Sequence, residues 1–183
     1  MKTGYFTKLL FILVVPLSII IAVFAAYSNS FHSPFVFDTD RMLIQGEEIK
    51  EPSYYFSSAA IHEPRAIVNF TFALNRRVHG LDVFGYHLVN FIIHIINGLL
   101  MYFLARLLLS KLTEFPKPAL SAAALLASLM FVLHPVQTQA VTYIAQRHAS
   151  MAAAFYLAAV ILYLKFRFCS REKSTVTGSA IYL

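Results

Sequence analysis

The sequence predicts an all-α integral membrane protein with four transmembrane helices and interfacial helices in the outer loops. Three observations predict it. The 183 residues are 58% hydrophobic and only 13% charged, a balance foreign to soluble globular domains. Four stretches approach the ~20 apolar residues that a helix needs to cross the hydrocarbon. The charges in the connecting segments are unevenly shared between the two sides.

The first span is placed at 9–27, behind Lys2 and Lys8. Ala22, Ala25 and Ala26 offer small residues of the kind found at signal cleavage sites, but no clear small-x-small pattern forms. The length suits a retained anchor. The second span is expected at 83–109, the third at 116–133 and the fourth at 149–168. Outer loops then cover 28–82 and 134–148, and a truncated fifth span opens at about 178. With the N-terminus cytoplasmic, the inner segments sum to +7 and the outer ones to −1, giving the net charge of +6. The basicity is therefore a topology signal, and no aromatic-interleaved basic patch points to nucleic acid. The single cysteine, Cys169, falls on the inner side and excludes an internal disulfide.

A 55-residue loop without structure is unusual. Between Arg65 and Val78, Ile67, Phe70, Leu74 and Val78 recur at near-helical spacing, which predicts a helix lying flat at the bilayer surface. The second outer loop predicts another short interfacial helix, with Pro135 in its first turn and Val136, Ala140, Val141 and Ile144 on its apolar face.

Two groups of residues carry possible chemistry. His87, Asn90, His94 and Asn97 form one stripe on the second span. Lipid offers no hydrogen-bond partners, so the stripe faces the interior of the bundle. It serves either as interhelical glue, at roughly 1 kcal/mol per bond, or as the lining of a cavity for a polar or lipid-linked ligand. No third ligand at suitable spacing supports zinc. Asp38 and Asp40 stand just past the first span. They are either a solvated turn or a source of a general base for a hydroxyl acceptor.

Read in order, four segments resemble one family. They are Phe35-Val-Phe-Asp38, Arg65-Ala-Ile-Val-Asn-Phe-Thr-Phe-Ala-Leu-Asn75, Gly85-Tyr-His-Leu-Val-Asn90 with Ile93, His94 and Asn97, and His134-Pro-Val-Gln-Thr-Gln-Ala-Val-Thr-Tyr-Ile-Ala-Gln-Arg147. The set resembles the membrane region of the transmembrane-and-tetratricopeptide-repeat proteins, which include protein O-mannosyltransferases of the GT-C class. The resemblance implies the N-terminal part of a GT-C fold. It also implies a polyprenyl-phosphate-linked sugar as donor, a protein hydroxyl as acceptor, and contact with membrane lipid; the ligand spacing alone gives the expectation of no metal. It further implies transfer on the outer or lumenal face, of either a bacterial inner membrane or an endoplasmic reticulum membrane.

By the same resemblance Asp38 is the base, with Asp40 as its alternate. Many relatives carry two adjacent acids there, where this chain has Thr39 second. Arg65, His87, Asn90, His94, His134, Gln139 and Arg147 become the substrate-binding candidates, the two arginines because guanidinium suits phosphate. Relatives often carry Glu where Gln139 stands, and Pro where Ala66 stands. Four spans are few for a GT-C enzyme, so the expectation is an N-terminal portion of a longer enzyme, inactive alone. The alternative is a non-catalytic membrane scaffold or lipid-binding protein.

Overall fold

The structure, a computed structural model, describes residues 2–43 and 49–179, with side chains over 13–39, 42–43, 49–60 and 62–170. Among the described residues every regular element is helical. The α-helices are α1 (Lys2–Tyr27), α2 (Asp38–Leu43), α3 (Ala66–His79), α4 (Val83–Leu112), α5 (Lys117–Val132), α6 (Gln137–Thr142) and α7 (Arg147–Ser179). Short 3-10 turns cover Ser28–His32, Pro52–Phe56, Ser58–His62 and Ile144–Gln146.

Three segments are long and apolar enough to cross a membrane: Leu13–His32, Val83–Leu112 and Ile144–Ser170. The chain is thus an integral membrane protein by length and composition of its helices. The third expected span, at 116–133, folds as α5. Its 16 residues reach about 24 Å at a rise of 1.5 Å per residue, short of the ~30 Å hydrocarbon core. The fifth span expected from about 178 falls mostly beyond Ser179, outside the described residues.

The bundle is organised around α4, which packs against α1, α5 and α7. Asp82 starts α4 by accepting a hydrogen bond from the Phe84 amide at 3.1 Å, satisfying one orphan donor of the first turn. On α1, Val15, Ile19, Val23 and Tyr27 recur every fourth residue and are buried, while Leu17, Ile21 and Phe24 are exposed. That split gives α1 one protein-facing stripe and one face left for lipid. Gly98 lets α1 and α5 approach α4 closely. A Cβ there would stand 2.6 Å from Val132 Cγ1 and 3.0 Å from Ile19 Cγ2.

At the end of α5 the Val132 carbonyl has no continuing turn to bond. Tyr27 Oη donates to it at 2.9 Å, and His94 Nε2 donates to it at 3.1 Å. One orphan acceptor thereby ties three helices together. A second apolar cluster lies under α3, built from Met42, Leu43, Val68, Phe72, Ala73, Tyr86 and Ile144. It fixes α2, α3 and the start of α7 as one unit over that end of the bundle.

Candidate functional site

The polar stripe of α4 faces inward, and each side chain bonds neighbouring backbone through one atom, while His87 Nδ1 and Asn97 Oδ1 are buried without a partner among the described residues. His87 Nε2 donates to the Ser33 carbonyl at 3.0 Å. Asn90 Nδ2 donates to the Ile144 carbonyl at 3.3 Å, and Asn97 Nδ2 to the Ser150 carbonyl at 2.9 Å. With His94 on Val132, all four are buried. The carbonyls of Ser33, Val132 and Ile144 lie at helix ends or in turns, whereas that of Ser150 lies in the first turn of α7 and takes Asn97 as an additional donor.

Arg147 completes this network from the first residue of α7, and its side chain is fully buried. Nε donates to Asn90 Oδ1 at 2.8 Å, Nη1 to Thr71 Oγ1 at 3.3 Å, and Nη2 to Asn75 Oδ1 at 2.9 Å and the Tyr86 carbonyl at 3.1 Å. The guanidinium carbon also lies 4.1 Å from the centre of the Phe72 ring, a cation–π contact. Every acceptor is a neutral oxygen, so hydrogen bonds and a ring face offset the desolvation of the cation. Arg147 therefore clamps α3, α4 and α7 together and stands beneath a cavity without lining it.

That cavity, of about 970 Å³, is lined by Asp38, Glu63, Arg65, Tyr143, Gln146 and His148 on its polar side. Its apolar wall comprises Met42, Ile67, Ala149, Ala152 and Phe155. Phe155 is 56% exposed on a helix of membrane-spanning length, so the apolar wall continues along the surface that α7 presents to lipid. The cavity joins Asp38 to Arg65, 27 positions apart in the chain.

Local backbone geometry explains how. Among the described residues the two non-glycine positions with positive φ are Phe37 (53°) and Arg65 (63°). Each such conformation costs of order 1–3 kcal/mol and persists only where packing over-determines it. Phe37 is braced edge-on by Tyr143, with ring centroids 6.1 Å apart. The Asp38 amide donates to Tyr143 Oη at 3.2 Å. The Arg65 carbonyl accepts from the Val68 and Asn69 amides, both at 3.0 Å, and starts α3.

Thr39, which stands where the resemblance puts a second acid, is fully buried. Its Oγ1 accepts the Ala145 amide at 3.2 Å, a bond that pins α2 to the turn before α7. The side chain of Asp40 lies outside the described residues. Gln139 lines a second groove, of about 640 Å³, with Val36, Phe37, Pro135 and Thr142. Tyr143 borders both hollows. His134 instead shapes a turn, its Nδ1 accepting the Val136 amide at 3.2 Å.

Of the residues predicted from sequence, then, Asp38 and Arg65 share the cavity. His87, Asn90, His94 and Arg147 are buried in the bundle and do not line it, and Gln139 and His134 lie elsewhere. Four polar lining residues were not among the predicted ones: Glu63, Tyr143, Gln146 and His148. His148 heads an apolar span, an unusual place for a polar ring. Its Nδ1 donates to the Ala145 carbonyl at 3.0 Å, and its Nε2 lies 3.2 Å from Asn69 Oδ1. Glu63 Oε2 accepts from Tyr54 Oη at 2.9 Å, and this hydrogen bond pushes the Tyr54 phenol above its ordinary pKa.

No protein-family model matches the chain, and no solved structure matches it. Curated relatives do. The chain is 37% identical over 112 residues to Protein O-mannosyl-transferase Tmtc3 of Drosophila melanogaster, covering 55% of this chain and 12% of that protein. It is 38% identical over 112 residues to Protein O-mannosyl-transferase F38B6.6 of Caenorhabditis elegans, covering 61% and 15%. Against Protein O-mannosyl-transferase TMTC3 of Mus musculus it is 27% identical over 160 residues, covering 80% and 16%. The chain spans less than a fifth of the length of these relatives. The resemblance read from four short segments is thus a similarity, over more than half of the chain, to proteins named as protein O-mannosyl-transferases.

Proposed function

We propose that this chain is the N-terminal membrane portion of a glycosyltransferase that uses a polyprenyl-phosphate-linked sugar. Asp38 acts as base toward a protein hydroxyl, and the chain is inactive without the remainder of the enzyme. The observation that carries this reading is the shared cavity, with a carboxylate and a guanidinium on one side and an apolar wall continuous with α7 on the other. That polarity matches a donor whose phosphate must sit at a membrane surface while its lipid chain stays in the bilayer. Arg65 takes the phosphate, a partner suited to its planar fork. Asp38 accepts the proton from the attacking hydroxyl, the sugar is transferred with inversion, and the lipid phosphate leaves.

The proposal includes a topology: N-terminus cytoplasmic, the cavity on the opposite face, and α5 as a short span, the third of four. The charge division of +7 against −1 supports it. On α3, Ile67, Leu74 and Val78 are exposed and apolar, which supports a position at the bilayer surface. The experiment uses the protein expressed from its complete reading frame, in nanodiscs. Arg65→Ala is expected to weaken binding of polyprenyl phosphate about tenfold or more, the loss of a charge-assisted bond. Unchanged binding would remove Arg65 from the donor site.

A second reading is a lipid-binding scaffold without catalysis. One observation favours it: His87, Asn90, His94 and Arg147 are committed to internal hydrogen bonds. Donor binding without sugar transfer by the complete protein would establish it over the first.

A further inference from the structure

We infer that Glu63 is the sugar-recognising residue of the cavity, accepting hydrogen bonds from hydroxyls of the donor's hexosyl group. This rests on the donor-site reading above and adds the part of the donor that Asp38 and Arg65 leave without a partner. Glu63 and Asp38 are the two carboxylates in the lining. A carboxylate repels a phosphate but accepts strongly from neutral hydroxyls, and its two oxygens offer about four lone-pair sites. Arg65 supplies the anion-binding end of the same cavity, two residues along the chain.

Glu63 is aimed from behind. Tyr54 Oη holds Oε2 at 2.9 Å, which leaves acceptor capacity on the other oxygen. Tyr54 is itself fixed in a 3-10 turn, its amide donating to the Glu51 carbonyl at 3.0 Å and its carbonyl accepting from Ser57 Oγ at 2.7 Å. The adjacent Tyr55 packs on Phe70 of α3, ring centroids 6.0 Å apart, and ties the turn to the helix that begins beside Arg65. The Glu63 amide closes the second turn on the Ala60 carbonyl at 3.1 Å. An oriented carboxylate beside a cationic residue and an apolar wall is a constellation suited to a sugar phosphate on a lipid.

The test compares two probes, polyprenyl-phosphate mannose and bare polyprenyl phosphate, binding to the complete protein in nanodiscs. Glu63→Gln keeps an amide oxygen for Tyr54, so it preserves the clip while removing the charge and turning the other acceptor oxygen into an NH2 donor. It is expected to lower affinity for the mannosyl lipid about tenfold or more while leaving affinity for the bare lipid phosphate undiminished. Tyr54→Phe should move the mannosyl lipid in the same direction by a smaller factor. Equal affinity of Glu63→Gln and wild type for the mannosyl lipid would overturn the assignment of Glu63. Failure of the wild type to bind either lipid would overturn the donor site itself, a separate result.

Discussion

Asp38 and Tyr143, 105 positions apart, are joined by a hydrogen bond of 3.2 Å from the Asp38 amide to the Tyr143 hydroxyl. The bond fastens the start of α2 to the segment between α6 and α7, and Tyr143 borders both the large cavity and the smaller groove. The hydroxyl therefore holds the backbone of the candidate base while its ring separates the two hollows.

Tyr143→Phe keeps the ring against Phe37 and removes the acceptor. A net hydrogen bond contributes about 1 kcal/mol, which corresponds to roughly a fivefold factor. Sugar transfer by the complete protein should fall by about that factor with the thermal midpoint little changed. A loss of several orders of magnitude would mean that the hydroxyl takes part in the chemistry itself.

Arg147 should behave as a structural clamp. Arg147→Met leaves Asn90, Asn75 and the Tyr86 carbonyl without their guanidinium partner. Each buried polar group left unpaired costs about 1–3 kcal/mol; Arg147→Met orphans several neutral acceptors, whereas Asn90→Ala orphans the Arg147 Nε–H and the Ile144 carbonyl. Thermal unfolding in detergent should rank wild type, then Asn90→Ala, then Arg147→Met. Stable Arg147→Met protein that binds no donor would instead put Arg147 in the binding site.

Gly98→Ala should destabilise the contact of α4 with α5 and α1, because the new methyl stands 2.6 Å from Val132 Cγ1. Overpacking of this kind costs about 1–3 kcal/mol. Adding Val132→Ala should recover part of the loss. Thermal midpoints of the two variants decide it, and no recovery would mean that the backbone of α4 has shifted.

Cys169 is exposed near the end of α7 and reports topology directly. With Cys169 as the sole cysteine, a membrane-impermeant maleimide should label it from the cytoplasmic face, in sealed cells only after permeabilisation. Labelling from the opposite face alone would reverse the orientation proposed from the charge division.

Much of the fold is legible because length and periodicity are local properties. The apolar runs marked α1, α4, α5 and α7, and the spacing of Ile67, Leu74 and Val78 marked α3. The inward face of α4 was legible for the same reason, since a polar stripe on a membrane helix needs protein partners. What that stripe bonds was not legible. Its acceptors are the carbonyls of Ser33, Val132, Ile144 and Ser150, which any sequence supplies and only tertiary geometry selects.

Of the candidate site, Asp38 and Arg65 were legible through their motifs, and their meeting in one cavity is new information from the structure. Glu63 carries no periodic signal, being an isolated loop acid whose Tyr54 partner lies nine residues back. Thr39 reads from sequence as a missing acid. In the structure it is a buried side chain accepting the Ala145 amide, a role that suits a hydroxyl.

The most direct measurement is sugar transfer from polyprenyl-phosphate mannose to a serine- and threonine-bearing peptide by the complete protein, comparing wild type with Asp38→Asn. The expected result is a loss of at least about 100-fold in turnover, within the range attributed to a general base, with donor affinity and thermal midpoint retained. Undiminished transfer by Asp38→Asn would contradict the assignment of Asp38 as the base.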